Sequence, residues 1–454
     1  MKDIKEFGVL GNGKTEETVL IQHAIDICAS NGEKLVFSAG TYKVGTLFLK
    51  DNSHITIDKN ALISGIPNIS AYMDNDAMFV DGVNVPRGKA LIVAHKASNI
   101  SVCGNGTITG NSSAFDKSEK QRPFLIRMIE CTDVKVEDVT LKYAVSWCFH
   151  LDRCTNVLLN NLCIRNRGCS NNDGIDIDSC QKVSIVSCDV SSGDDAICLK
   201  TTSDMPCSDI HVENCQISSD CGGFKIGTES VGDFKDIVVE NCKFLNVKAG
   251  SIKITPTDGG IVENVTIKNV VMENCTGPIF IAAGTRNRVY AGGSRKTPSR
   301  ITNVNIYDIK ADVIKAPSRG KYDVRIDGWK ESDGEEKRLS LYDYGDWCEA
   351  LGGIILSGTK NEKLRNISIQ NADISLPGGF TDKTWEFNVR EMGSLYPEFH
   401  RFDPVPSKGI FIRHACGVEL RNINLTYKSE DIREEIICED SDCIKIDSKE
   451  EKLE

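Results

Sequence analysis

Short apolar segments that recur at an almost fixed interval constrain this chain more than any other feature. Thr132-Asp133-Val134-Lys135-Val136, Thr155-Asn156-Val157-Leu158-Leu159, Gln181-Lys182-Val183-Ser184-Ile185, Ser208-Asp209-Ile210-His211-Val212, Lys235-Asp236-Ile237-Val238-Val239 and Glu263-Asn264-Val265-Thr266-Ile267 begin at 132, 155, 181, 208, 235 and 263, so at intervals of 23 to 28 residues. Each places β-branched residues at alternate positions and is followed by Asn, Asp, Gly or Cys, the pattern of a short strand that ends in a turn. Helical periodicity is absent here. Repeats of this length with two or three strands each stack as a solenoid in which every coil covers its neighbour. The expected fold is therefore all-β, a parallel β-helix forming a single domain over 1–454.

The open end of such a stack exposes unpaired backbone and calls for a cap. Residues 1–50 are expected to supply it, with a helix over residues 16–29. Thr15 is the candidate N-cap, Glu16 and Glu17 occupy the first turn, Val19, Leu20, His23, Ala24 and Ile27 follow helical spacing, and Gly32 lies beyond the end. Strand pattern then begins at Leu35-Val36-Phe37. Two stretches break the rhythm, about 284–350 and 376–408, and both are rich in charge, Gly, Pro and aromatics such as Trp329, Trp347, Trp385 and Tyr396. In a solenoid such insertions map to loops over one face. The acidic stretch 429–454 is expected to be a ragged last coil or tail.

Composition narrows the partners. A formal net charge of -11 argues against nucleic acid, which needs a basic face. No apolar run reaches the length of a membrane span, and the amino terminus Met1-Lys2-Asp3-Ile4-Lys5-Glu6 carries no secretory pattern, so a cytoplasmic location is expected. The 19 cysteines fit that expectation as reduced, stacked core residues: Cys163, Cys188, Cys215, Cys242 and Cys275 sit in the repeats, and no Cys-x-x-Cys zinc pattern occurs.

Chemistry concentrates where acidic residues recur in successive repeats. Asn171-Asn172-Asp173-Gly174-Ile175-Asp176-Ile177-Asp178 is followed by Gly193-Asp194-Asp195-Ala196-Ile197-Cys198-Leu199-Lys200. If the Ile and Leu residues point inward, strand alternation puts Asp176, Cys198, Lys225 and Lys253 in one outward column, and stacks Asp173 on Asp195 with Gly222 and Gly250 on the same line. Carboxyl groups held together take different protonation states, and glycosidic-bond hydrolysis uses such a pair as acid and base.

Asn-x-Asp followed about one repeat later by Gly-Asp-Asp and Lys resembles the polygalacturonase family of glycoside hydrolases, family 28, which are right-handed parallel β-helices. Phe7-Gly8-Val9-Leu10-Gly11-Asn12-Gly13 and Ala39-Gly40-Thr41-Tyr42 resemble the opening of pectin-degrading β-helix enzymes. The resemblance implies that Asp173, Asp194 and Asp195 are catalytic and that the sugar configuration is inverted, with Asp194 as general acid and Asp173 and Asp195 activating water. The implied substrate is an acidic, pectin-derived oligosaccharide cut at a galacturonosyl or related bond, with exo-action expected if the insertions close one end of the groove. No cofactor or metal is called for.

The likeness is incomplete. Where family members carry Gly-His-Gly and Arg-Ile-Lys, this chain has Cys221-Gly222-Gly223 and Ser251-Ile252-Lys253. Candidate substrate contacts are therefore Trp147, His150, Asn171, Asp176, Lys200, Lys225, Glu229, Lys253 and Arg286, with Arg288 beside it; the arginines suit bidentate binding of a carboxylate. Two alternatives remain: a calcium-dependent lyase using Asp173, Asp176, Asp178, Asp194 and Asp195 as oxygen ligands, and a binding β-helix without turnover. A rhamnogalacturonan-type oligosaccharide is the alternative substrate.

Overall fold

The structure, a computed structural model, describes residues 1–447 apart from 75–78, 82–85, 117–120, 291–292, 295–297, 315–352, 388, 400–401, 403–404 and 443. The expected tryptophans Trp329 and Trp347, and the end of the acidic tail, lie outside the described residues. The chain divides into two compact units, Met1–Leu199 with Met205–Gln216, and Lys200–Asp204 with Ile217–Glu454. Each is built from coils of right-handed parallel β-helix.

In the first unit successive repeats pair in parallel and in register. Thr132–Glu137 pairs with Ser98–Cys103 on one side and Thr155–Asn160 on the other, with Val134 opposite Ile100 and Val157. A second ladder runs through Thr140–Lys142, Cys163–Asn166 and Asp189–Ser192. A third joins Phe124–Ile129, Phe149–Asp152 and Ile175–Asp178. Strands of the first ladder alternate buried and accessible residues, as a sheet with one wet face must. Strands of the third are buried throughout, because side chains also cover their outer face.

The second unit repeats the plan with longer strands. Ile261–Cys275, Arg300–Val313, Leu364–Leu376 and Ala415–Tyr427 stack in parallel. A second ladder runs Phe224–Ser230, Ile252–Ile254, Ile279–Ala282, Ile354–Ser357, Ser407–Arg413 and Glu434–Glu439, with Lys225 opposite Lys253. The aromatic insertion packs on this ladder. Phe399 and Phe402 lie 4.6 and 5.6 Å from Phe280, in a buried cluster with Met392, Val405 and Phe411.

The recurrent Asn and Asp residues of the repeats explain the corners. Asn264, Asn269, Asn274, Asn303 and Asn366 all have φ between 51° and 57°, left-handed backbone that Asn tolerates better than most residues. Their amides also bond from coil to coil: Asn264 donates to Asp236 at 3.0 Å, Asn269 to Asn241 at 2.6 Å and Asn366 to Asn303 at 3.1 Å. One residue type thus turns the chain and links neighbouring corners.

The cap differs in register from the sequence expectation. The helix spans Thr18–Asn31, with Glu17 at the N-cap and Gly32 closing it in left-handed backbone at φ 64°. Thr15 lies in the strand Asn12–Glu16. The buried face is Ile21, Ala24, Ile25, Cys28 and Ala29, while Val19 and Leu20 are exposed. Residues 12–16 instead pair in parallel with Gly40–Val44, which takes Thr15 out of the helix and turns the apolar stripe by one position. The described cysteines are free thiols, mostly buried, and Cys154 donates its backbone N–H to the sulfur of Cys180 in the next coil at 3.2 Å. Among the described residues no helix is long and apolar enough to cross a membrane.

Candidate active site

Asp173 and Asp195 lie opposite one another on consecutive coils of the first unit. The backbone N–H groups of Gly174 and Ile175 donate to the carbonyls of Asp195 and Ala196, both at 2.9 Å, which fixes the stacking read from the sequence. Both side chains are buried, whereas Asp194 is half-buried. Asp194 turns back on its own loop, its Oδ1 accepting from the Asp195 N–H at 2.9 Å and its carbonyl from Ser192 Oγ at 2.5 Å.

Close packing requires glycine in both acidic loops. A Cβ on Gly174 would stand 2.4 Å from the Ala196 carbonyl, and one on Gly193 would stand 2.5 Å from Asn172 Oδ1. Neither site has room for a side chain. The buried side-chain amide of Asn166, at the end of Cys163–Asn166, donates to the carbonyls of Ser146 at 2.9 Å and Asp173 at 2.8 Å, and the backbone carbonyl of Asn166 accepts from Gly193 N–H at 2.9 Å. One residue therefore joins three loops. Sequence reading overlooked Asn166, although its place at the end of a repeat strand was visible.

Below the loops, Arg127, His150 and Asp176 occupy equivalent positions on adjacent strands, as the alternation requires. His150 Nδ1 accepts from Arg127 Nε at 3.2 Å. His150 and Asp176 have no exposed surface, so the expected sugar contact is not presented; the covering strands and rings exclude it. Trp147 is likewise buried, 5.2 Å from Phe124 and from His150, within a cluster that includes Ala90 and Val93. Asp152 stands opposite Asp178, and burial together with that neighbouring carboxylate pushes it up to about 7 despite Arg127 and Arg153. Asn171, in left-handed backbone, accepts at Oδ1 from Arg122 Nη2 at 2.6 Å.

The second unit carries a separate polar cluster. Lys200 Nζ lies 3.6 Å from Glu229 Oε2, and both are buried. Burial alone would raise Glu229, but Lys200, Arg286, its own backbone N–H and Lys225 outweigh it and hold the carboxyl at about 2. Arg286 is engaged: Nε and Nη2 grip Asp258 at 2.9 and 2.5 Å, and Nη2 also reaches Tyr290 Oη at 2.9 Å and the Thr228 carbonyl at 3.0 Å. The fork expected to take a sugar carboxylate is thus already occupied by a protein one. Arg288 lies over the Tyr290 ring at 4.7 Å. Lys225 donates to Tyr396 Oη at 2.9 Å and lies 5.1 Å from its ring centroid. Lys253, with no exposed surface, is ion-paired with Glu398 of the insertion; it holds that segment and offers nothing to a sugar.

Comparisons agree with this arrangement. Residues 34–341 match the model of glycosyl hydrolases family 28. A probable polygalacturonase of Vitis vinifera is 26% identical over 212 residues, 43% of either chain, so this chain spans under half the length of that relative. The polygalacturonase of Persea americana is 25% identical over 340 residues, 72% of this chain and 70% of its own. The family 28 exopolygalacturonase of Yersinia enterocolitica shares the fold with a TM-score of 0.69 at 17% identity, over 99% of this chain and 78% of its own. With its stacked coils, the register of Asp173 on Asp195 and a family match over two thirds of its length, the chain belongs to glycosyl hydrolases family 28.

Proposed function

We propose that the protein is an inverting hydrolase of pectin-derived acidic oligosaccharides, cutting galacturonosyl or related bonds and acting from a chain end. The stacking of Asp173 on Asp195, with Asp194 in the same loop, is the observation that carries the reading. Asp194, the most accessible of the three, donates the proton to the leaving oxygen. Asp173 and Asp195 share a buried environment, where proximity keeps them ready to take a proton from the attacking water.

The exo-acting part of this reading is supported by the printed names of relatives, an exo-poly-alpha-D-galacturonosidase of Dickeya chrysanthemi among them. The printed name of the Yersinia relative points the same way. The test is digestion of oligogalacturonides of defined length, with products separated by chromatography and the new anomer followed by NMR. Stepwise release of monomer or dimer with inverted configuration is expected from the native protein and none from Asp194→Asn. Mixed-length products would refute exo-action, and a retained anomer would refute the water-activation roles.

A further inference from the structure

Arg122, just before the strand Phe124–Ile129, directs its guanidinium at the loop that leads into Asp173. Nη1 donates to the carbonyls of Val145, at 3.3 Å, and Ser170, and Nη2 to the side-chain oxygen of Asn171 at 2.6 Å. All three acceptors are neutral. Among the described residues no carboxylate pairs with Arg122, and the side chain is half-buried.

A second guanidinium makes this placement costly. Arg87 is fully buried; its Nε pairs with Asp81 at 2.9 Å, its Nη1 reaches Ser146 Oγ at 2.5 Å, and it lies 5.7 Å from the Trp147 ring centroid. Among the described residues its Nη2 has no acceptor. Burial first, and Arg87 next, weaken the hold of Arg122 on its proton, while Asp81 and Asp173 favour the cation from a distance. A partly desolvated cation without a bonded counter-charge is unfavourable unless an anion completes it.

We propose that Arg122 is the residue that binds the carboxylate of the acidic sugar, with Arg87 adding to the positive field. The inference rests on the proposed function and deepens it, since it specifies a uronic-acid ring near Asp173. A planar guanidinium fork matches a carboxylate in two parallel hydrogen bonds. Among the described residues Val145 and Ser170 take both Nη1 N–H groups and Asn171 one of Nη2, which leaves the Nε–H and the second Nη2–H for the sugar carboxylate.

The test measures binding of trigalacturonate and of its methyl ester to the full chain carrying Asp194→Asn, by calorimetry. Adding Arg122→Gln is expected to weaken trigalacturonate about 10- to 100-fold, the range for a charge-assisted bond, while the ester changes less than about threefold by the same reasoning. Arg122→Lys keeps the charge without the fork and is expected to fall between, which covers the case in which the Gln variant folds poorly. Equal losses for acid and ester, or no loss for the acid, would overturn the assignment of Arg122 alone. Failure of the Asp194→Asn protein to bind either ligand would overturn the proposed function, and this inference with it.

Discussion

The side-chain amide of Asn166 donates to the backbone carbonyl of Asp173 at 2.8 Å, so a residue that carries no charge holds the loop of one that does. The same amide binds Ser146 O, and the Asn166 backbone carbonyl receives Gly193 N–H. Asn166→Ala removes both donations, leaving Ser146 O without this donor and Asp173 O with Cys148 N–H alone, a cost of about 1–3 kcal/mol in stability. Because sub-ångström placement governs in-line attack, turnover of oligogalacturonides is expected to fall roughly 10- to 100-fold. Thermal unfolding and steady-state kinetics check the pair of effects. Loss of stability with kcat unchanged would mean that Asn166 braces the coil without positioning Asp173.

Glu229 makes the second unit sensitive to acid. Its carboxyl sits at about 2 in the folded protein, and near 4.3 in an unfolded chain. The unfolded chain therefore binds the proton first as pH falls. The stability this group contributes is complete above about pH 4.5 and is lost as pH drops toward 2. Glu229→Gln should lower stability at pH 7, since Lys200 and Arg286 lose a buried anion, and should flatten the stability profile between pH 4.5 and 2. Denaturant titrations at a series of pH values measure both changes.

How far the site could be read in advance depended on whether the signal was periodic. Register is periodic, so the pairing of Lys225 with Lys253 and the stacking of Asp173 on Asp195 followed from alternation and repeat length. Partnership is not. Glu398 lies 145 residues from Lys253, inside an insertion with no repeat to place it. Asp258, in Thr257-Asp258-Gly259-Gly260, reads as an ordinary turn residue, yet it fills the fork of Arg286. The helical cap failed in register for a related reason: Thr15 is a sound N-cap by local chemistry, but pairing of Asn12–Glu16 with Gly40–Val44 overrides it.

Asp152 is expected to respond to pH in the opposite direction from Glu229. Burial first and Asp178 second raise it to about 7, so the folded protein keeps a proton that an unfolded chain releases near pH 4. Stability from this group is fully present below about pH 4 and declines as pH rises toward 7 and beyond. Asp152→Asn, neutral at every pH, should lose less stability than the native protein between pH 4 and 8. An unchanged slope in melting experiments across that range would show that Asp152 is ionised throughout.

Lys253 and Glu398 form a buried ion pair that fastens the insertion to the sheet, with Tyr396 bonded to Lys225 two residues earlier in the same segment. Both lysines are buried, and the insertion supplies a partner to each. Glu398→Gln leaves an ammonium in a dry site with a neutral amide, and breaking a buried pair in this way costs about 3–5 kcal/mol. Replacing both members, Lys253→Met with Glu398→Leu, removes the uncompensated charge and fills similar volume, so most of the loss should return. Chemical denaturation of the two variants separates charge from packing: equal destabilisation of single and double variants would mean that shape, and not the ion pair, holds the segment. Tyr396→Phe, which deletes one hydroxyl but keeps the ring over Lys225, should cost about 1–2 kcal/mol by comparison.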